Sequence, residues 1–345
     1  MTDLDSSTAT DPVDRAELAS VTGLRWVPLS TEEIPRWHPL VEAANAADES
    51  VEHHTVEDLG DELAPWVDLD ADTALAVDEQ GRAVAFGLVQ VRPSDVTLLR
   101  GSCWGAVHPD HRGRGIGRAL LGWQLARARA LVQARRSELG TPDVAGRVGI
   151  EVDVDRVPAA ARLAERAGLQ PQRWFSVMRR ELDQPVPAVE LPAGLRMVGY
   201  EPDLDDALRL AHNEAFTDHW GFQPWSGEMW AQWSTGHRSF RPDWTFLVMD
   251  GDEVAGYAVN HAYESDWEAQ GYTEGWTAKL GVRAAWRGKG LAKAVLASSM
   301  AAFKADGMHS AGLDVDSENE LGAVKLYQGL GYRVDRRTAM YGADA

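Results

Sequence analysis

Apolar and polar residues alternate with period two in several short stretches of this chain. Ala83-Val84-Ala85-Phe86 follows an acidic turn, Asp78-Glu79-Gln80-Gly81, and opens an apolar strand. Glu253-Val254-Ala255-Gly256 does the same after Asp250-Gly251-Asp252. Alternation over Val148–Val154 and Ala311–Val315 predicts two more strands. Ala119–Val132 and Ala292–Lys304 instead space their apolar residues by three and four in a helix-favouring composition, which predicts helices. The coarse order is strand, helices, a hairpin, a third strand, a glycine turn into a long helix, strand, helix and closing strands. That order predicts an α/β (α+β) domain, a mixed and largely antiparallel sheet flanked by helices.

The order occurs twice. Gly105–Gly117 matches Leu280–Ala292, with Arg112 and Arg287 standing 175 residues apart. Glu151-Val152-Asp153 answers Asp314-Val315-Asp316, and Leu163–Leu169 answers Leu326–Tyr332. Four blocks in one order indicate an internal duplication. The proline-rich, aperiodic stretch Gln184–Pro192 reads as a linker. The expected organisation is a disordered acidic tail over 1–20, a first domain over 21–183, a linker over 184–193 and a second domain over 194–345. A length of 345 residues suits two domains.

Composition narrows the function. Lys plus Arg number 34 against 53 Asp plus Glu, a formal charge of −19. Such a surface repels phosphate backbones and argues against nucleic acid as a partner. No apolar run is long enough to span a membrane, and the acidic start resembles neither a secretory nor a mitochondrial leader, so the expected compartment is the cytoplasm. Cys103 is the only cysteine, which leaves no intramolecular disulfide and no cysteine-based metal cluster; a buried packing role is expected for it. The Asp153/Asp155 and Asp314/Asp316 pairs have no histidine at ligand spacing. They read as structural, and no metal is expected.

A turn with several glycines that opens a helix is in physical terms an anion site. Glycine permits positive φ and close backbone approach, and the first helical N–H groups face the ligand. Neither turn carries the Walker pattern or the third glycine of a dinucleotide fingerprint. What remains is Arg112-Gly113-Arg114-Gly115-Ile116-Gly117 and Arg287-Gly288-Lys289-Gly290-Leu291-Ala292. In these motifs the chain resembles the GNAT superfamily of acetyl-CoA-dependent acetyltransferases, over residues of about 24–182 and 194–342. The resemblance implies acetyl-CoA as cosubstrate. It also implies that both turns hold the pyrophosphate and that the preceding strands (Val107; Leu280, Gly281, Val282) bind the pantetheine arm.

Ser317-Glu318-Asn319 followed by Ala323–Tyr327 strengthens the likeness. The roles it implies are a pantetheine hydrogen bond from Asn319 and proton donation from Tyr327 to the departing thiolate. The first copy has Arg156 and Ala164 at those places, so chemistry is expected only in the second. Period two puts Glu274, Trp276, Ala278, Leu280 and Val282 on one face of a strand, with Glu274 as a candidate base. A backbone N–H near Leu280–Val282 is implied as the oxyanion donor. The acceptor, a small-molecule primary amine, is expected against the early helices of the second copy. Asp218, His219 and Trp220 are the candidate binding residues there, with Trp225, Trp230 and Trp233 nearby. The architecture also resembles the mycothiol synthase branch of the superfamily, which acetylates the cysteinyl amine of a pseudodisaccharide. Two features depart from that branch: Phe216 leads into Thr217-Asp218-His219-Trp220-Gly221 rather than a His-Pro-Glu stretch, and Trp276 occupies the register of its strand carboxylate. The alternatives to an enzyme are a CoA-sensing module without turnover and an assembly protein that kept the fold for dimerisation.

Overall fold

The alternating stretches become strands and the three-and-four spaced stretches become helices, each slightly longer than its pattern. The computed structural model describes residues 15–217, 219–318 and 322–345. Its first half runs α1 (Arg15–Thr22), β1 (Arg25–Val27), α2 (Ile34–Ala47), α3 (Val56–Glu62), α4 (Leu69–Asp72), β2 (Thr73–Val77), β3 (Ala83–Val91) and β4 (Leu98–Val107). It continues through α5 (Ile116–Leu139), β5 (Ala145–Asp153), α6 (Pro158–Arg166) and β6 (Gln170–Glu181). The second half runs β7 (Leu195–Gly199), α7 (Asp205–Ala215), α8 (Gly227–Trp233), β8 (Phe246–Asp250), β9 (Glu253–His261), α9 (Glu264–Gln270) and β10 (Glu274–Val282). It ends with α10 (Leu291–Ala305), β11 (Ser310–Asp316), α11 (Ala323–Gly329) and β12 (Arg333–Asp344). Residues 15–20, expected in a disordered tail, lie in α1, where Leu18 joins the first core and is 2% exposed. Residues 1–14 of that tail are outside the described residues.

The twelve strands of the described residues form one sheet in the order β1-β2-β3-β4-β5-β12-β6-β11-β10-β9-β8-β7. In each half the first four strands are antiparallel, and the fifth pairs in parallel with the fourth. The sixth strands are exchanged. β6 pairs with β11 of the second half, β12 pairs with β5 of the first, and β6 and β12 pair with each other at the centre. The cores follow the exchange. Ala339 and Tyr341 of β12 pack under α5 in the first core, and Met178 and Leu182 join the second core beside α10. Gly149 makes the β5–β12 crossing possible, because a side chain there would run into the Tyr341 carbonyl.

Ion pairs tie the exchanged strands down with pseudo-twofold symmetry. Arg173 on β6 pairs with Asp316 at 2.7 Å, and Arg336 on β12 pairs with Asp153 at 3.3 Å. Arg337 adds Asp155 at 2.8 Å. Three of the four Asp-x-Asp carboxylates are therefore taken by arginines of the opposite half. No helix among the described residues is long and apolar enough to cross a membrane.

Candidate active site

Each glycine turn is built so that helix N–H groups are left facing outward. Gly113 and Gly115 have φ of 76° and 83°, and Gly288 and Gly290 have 77° and 83°. These left-handed values are costly for residues with a Cβ, by roughly 1–2 kcal/mol each. α5 and α10 start directly after Gly115 and Gly290, and neither N-cap makes a side-chain hydrogen bond. The first-turn N–H groups and the positive end of the helix dipole are then available to an anion. The motif arginines do something the sequence did not disclose: they staple the turn to its strand. Arg112 Nε donates to the Val107 carbonyl (3.1 Å) and Arg287 Nε to the Val282 carbonyl (3.2 Å). Arg112 goes on to a bidentate pair with Asp48, and Arg287 to the Ala215 carbonyl. Arg114 turns back to the Asp110 carbonyl (2.8 Å), whereas Lys289 is exposed beside the turn.

Upstream of each turn the parallel strands splay apart. β4 and β5 pair only from Leu98↔Ala145 to Ser102↔Gly149, and β10 and β11 only from Glu274↔Ser310 to Thr277↔Leu313. Beyond those points the strand edges at Cys103–Val107 and Ala278–Val282 face a wedge, the kind of edge that accepts an extended ligand as an added strand. β10 also carries a bulge at Ala278, between the pairs Thr277↔Asn260 and Lys279↔Val259; the β3–β4 register is unbroken.

The bulge corrects the single face expected for Glu274 through Val282. An extra residue reverses the alternation. Glu274 and Trp276 lie on the face of α7 and α8 together with Lys279 and Gly281, where Gly281 abuts Tyr257. Thr277, Leu280 and Val282 turn toward α10: Thr277 through Asn260 to Ser299, and Leu280 and Val282 against the cluster of Leu291 and Val295.

Among the described residues, two side chains at the wedge of the second half have no counterpart in the first. Tyr327, 7% exposed, belongs to the core cluster that includes Leu313 and Val315 of β11 and against which Leu280 of β10 packs, a cluster that lies beneath both lips of the wedge. Burial keeps its hydroxyl protonated well above the usual tyrosine range. Lys279 lies 4.4 Å over the Trp225 ring, and burial pushes its ammonium down to about 8. In the first half Ala164 is fully buried at the place of Tyr327, and Trp104 stands where Lys279 does. Trp104 packs against Phe86 (4.8 Å), His54 (5.3 Å) and Trp37 (5.6 Å), an aromatic plug on that side of the strand. Asn319 lies outside the described residues. Cys103 is buried in the first core, and its thiol is pushed up to about 12, as a packing residue's would be.

A cavity of about 630 Å³ opens beside β10 at the seam of the two halves. Its floor includes Glu151 of β5, Val177 of β6 and Thr338 of β12; its walls come from the α2–α3 segment on one side and α8, α9 and the end of β9 on the other. The early helices of the second half contribute less than expected. Trp233 lines the cavity, but Trp230 is a core residue at 1% exposure and Trp225 lies under Lys279. His219 and Trp220 are not among the lining residues; His219 packs on Phe216, and Trp220 lies under Arg173. Asp218 is outside the described residues. The missed wall is Val51–Glu62 of the first half, whose acidic residues carry no motif.

Nine carboxylates and four arginines line this cavity, which makes it anionic. Glu274 is held through Oε1 by Arg179 Nε (3.0 Å) and Ser310 Oγ (2.9 Å). Arg238 ties Asp58 and Asp61 together, and Arg336 reaches Glu52. Burial raises Glu151 and Asp314 above the usual carboxylate range and takes Glu62 and Asp266 up to about 7. The Asp266 shift makes a stability prediction. The folded chain keeps a proton on Asp266 that the unfolded chain sheds near pH 4, so stability falls as pH rises from about 4 to about 7. Asp266→Asn preserves the oxygen that accepts from the His53 N–H (2.8 Å). Its melting temperature is expected to fall less than that of the parent between pH 5 and 8; equal slopes would show that Asp266 is not protonated.

Comparison with known proteins meets this geometry. Residues 205–332 match the "Acetyltransferase (GNAT) family" and residues 70–168 the "Acetyltransferase (GNAT) domain". The chain is 32% identical over 272 residues to a mycothiol acetyltransferase of Frankia casuarinae, covering 76% of this chain and 72% of that one. A Salinispora tropica protein of the same name is 31% identical over 314 residues, 88% and 91% of the two chains. Among solved structures, a GCN5-related N-acetyltransferase from Sphaerobacter thermophilus superposes with a TM-score of 0.71 at 27% identity, covering 93% and 95%. A tandem GNAT protein from the clavulanic acid biosynthesis pathway shares the fold, with a TM-score of 0.64 at 19% identity over 93% and 98%. With the repeated uncapped turn, the splayed strands and these matches in both halves, the chain belongs to the GNAT family of acetyltransferases.

Proposed function

We propose that the second half transfers an acetyl group from acetyl-CoA directly to a primary amine held in the seam cavity, and that the first half serves as its wall. The residues present fit the cosubstrate. The turn Arg287–Ala292 offers uncapped N–H groups to a pyrophosphate, and the β10 edge over Leu280, Gly281 and Val282 offers backbone partners to an amide-bearing arm. When bound, acetyl-CoA supplies an activated thioester. Backbone N–H groups at and after the Ala278 bulge are freed from the β11 ladder and suit a developing oxyanion. Tyr327, protonated and beneath both lips of the wedge, is the proton donor to the leaving sulfur. The Val107 edge and the Arg112–Gly117 turn would let the first half hold CoA as well, but Ala164 has no proton to give.

The observation that carries the acceptor class is the lining of the seam cavity, where nine carboxylates stand against four arginines. Carboxylates in excess over the cations that face them inside a protein are stabilised by a guest that brings further positive charge. Held by Arg179 and Ser310, Glu274 is placed to anchor such a guest's ammonium. A second reading, acetylation of the cysteinyl amine of a mycothiol precursor, is favoured by the relatives of that name at 31–32% identity. One experiment separates the two: thiol release from acetyl-CoA measured over a panel of mono-, di- and polycationic amines plus that cysteinyl pseudodisaccharide. Preference for multiply charged amines supports the first reading, and a unique response to the cysteinyl amine supports the second. Silence toward every amine would remove both.

A further inference from the structure

The far wall of the cavity contains a hydrogen-bonded chain that the roles above leave unused. His261, at the end of β9 and opposite Trp276 in the β9–β10 register, is 2% exposed and lines the cavity. Its Nδ1 lies 2.6 Å from Ser239 Oγ, and Ser239 Oγ lies 2.6 Å from His237 Nδ1. The Ser239 backbone N–H also donates to His237 Nδ1, at 3.2 Å. His261 Nε2 is buried and has no hydrogen-bond partner among the described residues.

These contacts fix where each proton resides. A backbone N–H always donates, so His237 Nδ1 is an acceptor and carries no proton. The Ser239 hydroxyl, 2.6 Å from that same nitrogen, must then donate to it. Its one proton spent, Ser239 Oγ accepts from His261 Nδ1–H. His261 is thereby locked as the tautomer with a lone pair on Nε2, and His237 as the opposite one, with its proton on Nε2, 4.0 Å from Asp61 of the first half. An orphaned acceptor inside a protein is costly unless a ligand completes it.

We infer that His261 Nε2 is the proton acceptor for the attacking amine, and that Ser239 and His237 carry the proton on toward Asp61. The inference rests on the transferase reading given above. The amine nitrogen bonds the acetyl carbon while the carbon–sulfur bond breaks. One amine N–H proton goes to His261 Nε2, the Nδ1 proton of His261 goes to Ser239 Oγ, and the Ser239 hydroxyl proton goes to His237 Nδ1. The sulfur leaves with the Tyr327 hydroxyl proton, so one proton is taken up and one given out. The charge that results on His237 faces the Asp61 carboxylate. Lys279, Arg241 and His237 surround His261, and Tyr263 stacks on it at 5.8 Å. Burial, and after it the charges of Lys279 and Arg241, keep the imidazole neutral until the amine, made acidic by bond formation, can give up its proton.

The test combines a spectroscopic and a kinetic reading on the full chain. Protein labelled with ¹⁵N-histidine should show His261 with a protonated Nδ1 and a bare Nε2, and His237 the reverse; assignment uses His261→Gln and His237→Asn. Ser239→Ala should collapse His261 to a mixture of tautomers. His261→Gln should lower kcat by about 10²-fold, the low end of general-base effects, with acetyl-CoA affinity by calorimetry unchanged. A protonated Nε2 on His261, or parental kcat in His261→Gln, would overturn the relay. An inert parent enzyme would instead sink the transferase reading, while the tautomers would still be read from the spectrum.

Discussion

A chain ended at Gly331 is expected not to reach the native state in either half. The missing strand, β12, is the central neighbour of both β5 and β6. Without it the first core loses Tyr341, 4% exposed, and Ala339, fully buried. Losing a buried aromatic alone costs roughly 3–5 kcal/mol, a large share of the 5–15 kcal/mol by which most domains are stable. Two ladders of backbone hydrogen bonds go with it, leaving unpaired edges in mid-sheet. The measurement is near-ultraviolet circular dichroism and gel filtration of residues 15–331 beside residues 15–345. A cooperative melt at the parental temperature in the truncated chain would contradict the exchange. A finer version is Ala339→Asp, which puts a carboxylate into the first core from the last strand of the second. It should unfold the first half although the residue lies nearly 190 positions away from the strand it disturbs.

Tyr327→Phe is expected to lower kcat by roughly 10²–10³-fold, within the range for loss of a general acid, and to leave acetyl-CoA affinity nearly unchanged. The ring already packs among Leu280, Leu313 and Val315, and phenylalanine fills the same space, so only the proton is lost. Pre-steady-state thiol release, followed with a chromogenic thiol reagent, would locate the defect in departure of the sulfur. Undiminished turnover would take Tyr327 out of the chemistry. The reciprocal change, Ala164→Tyr, should create no second active site. Ala164 is fully buried, and a phenol forced into that core costs about 1–3 kcal/mol or more in overpacking.

Much of this molecule was legible in the residues. The duplicated turns, the helices they open and the strands before them each leave a local pattern, and Tyr327 against Ala164 is a difference between the halves visible in the residues alone. Three features left no such trace. A strand reads the same whichever neighbour it joins, so the alternation of β6 and β12 does not reveal that they trade places; the pairing is decided by cores more than 160 residues apart. The bulge at Ala278 carries no glycine or proline, and one unmarked extra residue moved Leu280 and Val282 to the other face from Glu274. The wall over Val51–Glu62 lies in the half without Tyr327, where no catalytic motif directed attention. The arginines of the glycine motifs were legible as residues but not as staples, since their Nε contacts arise only once the turn folds back on its strand.

The seam has a consequence for inheritance. In the proposed assignment, thioester handling resides in the second half, along β10, β11, α10 and α11. The cavity floor is woven from β5, β6 and β12, and one wall is the α2–α3 segment. On that assignment, substitutions in the first half redraw the list of accepted amines while the reaction itself stays untouched. A duplicated chain with exchanged sixth strands then carries separate heritable dials, one for what is acetylated and one for how.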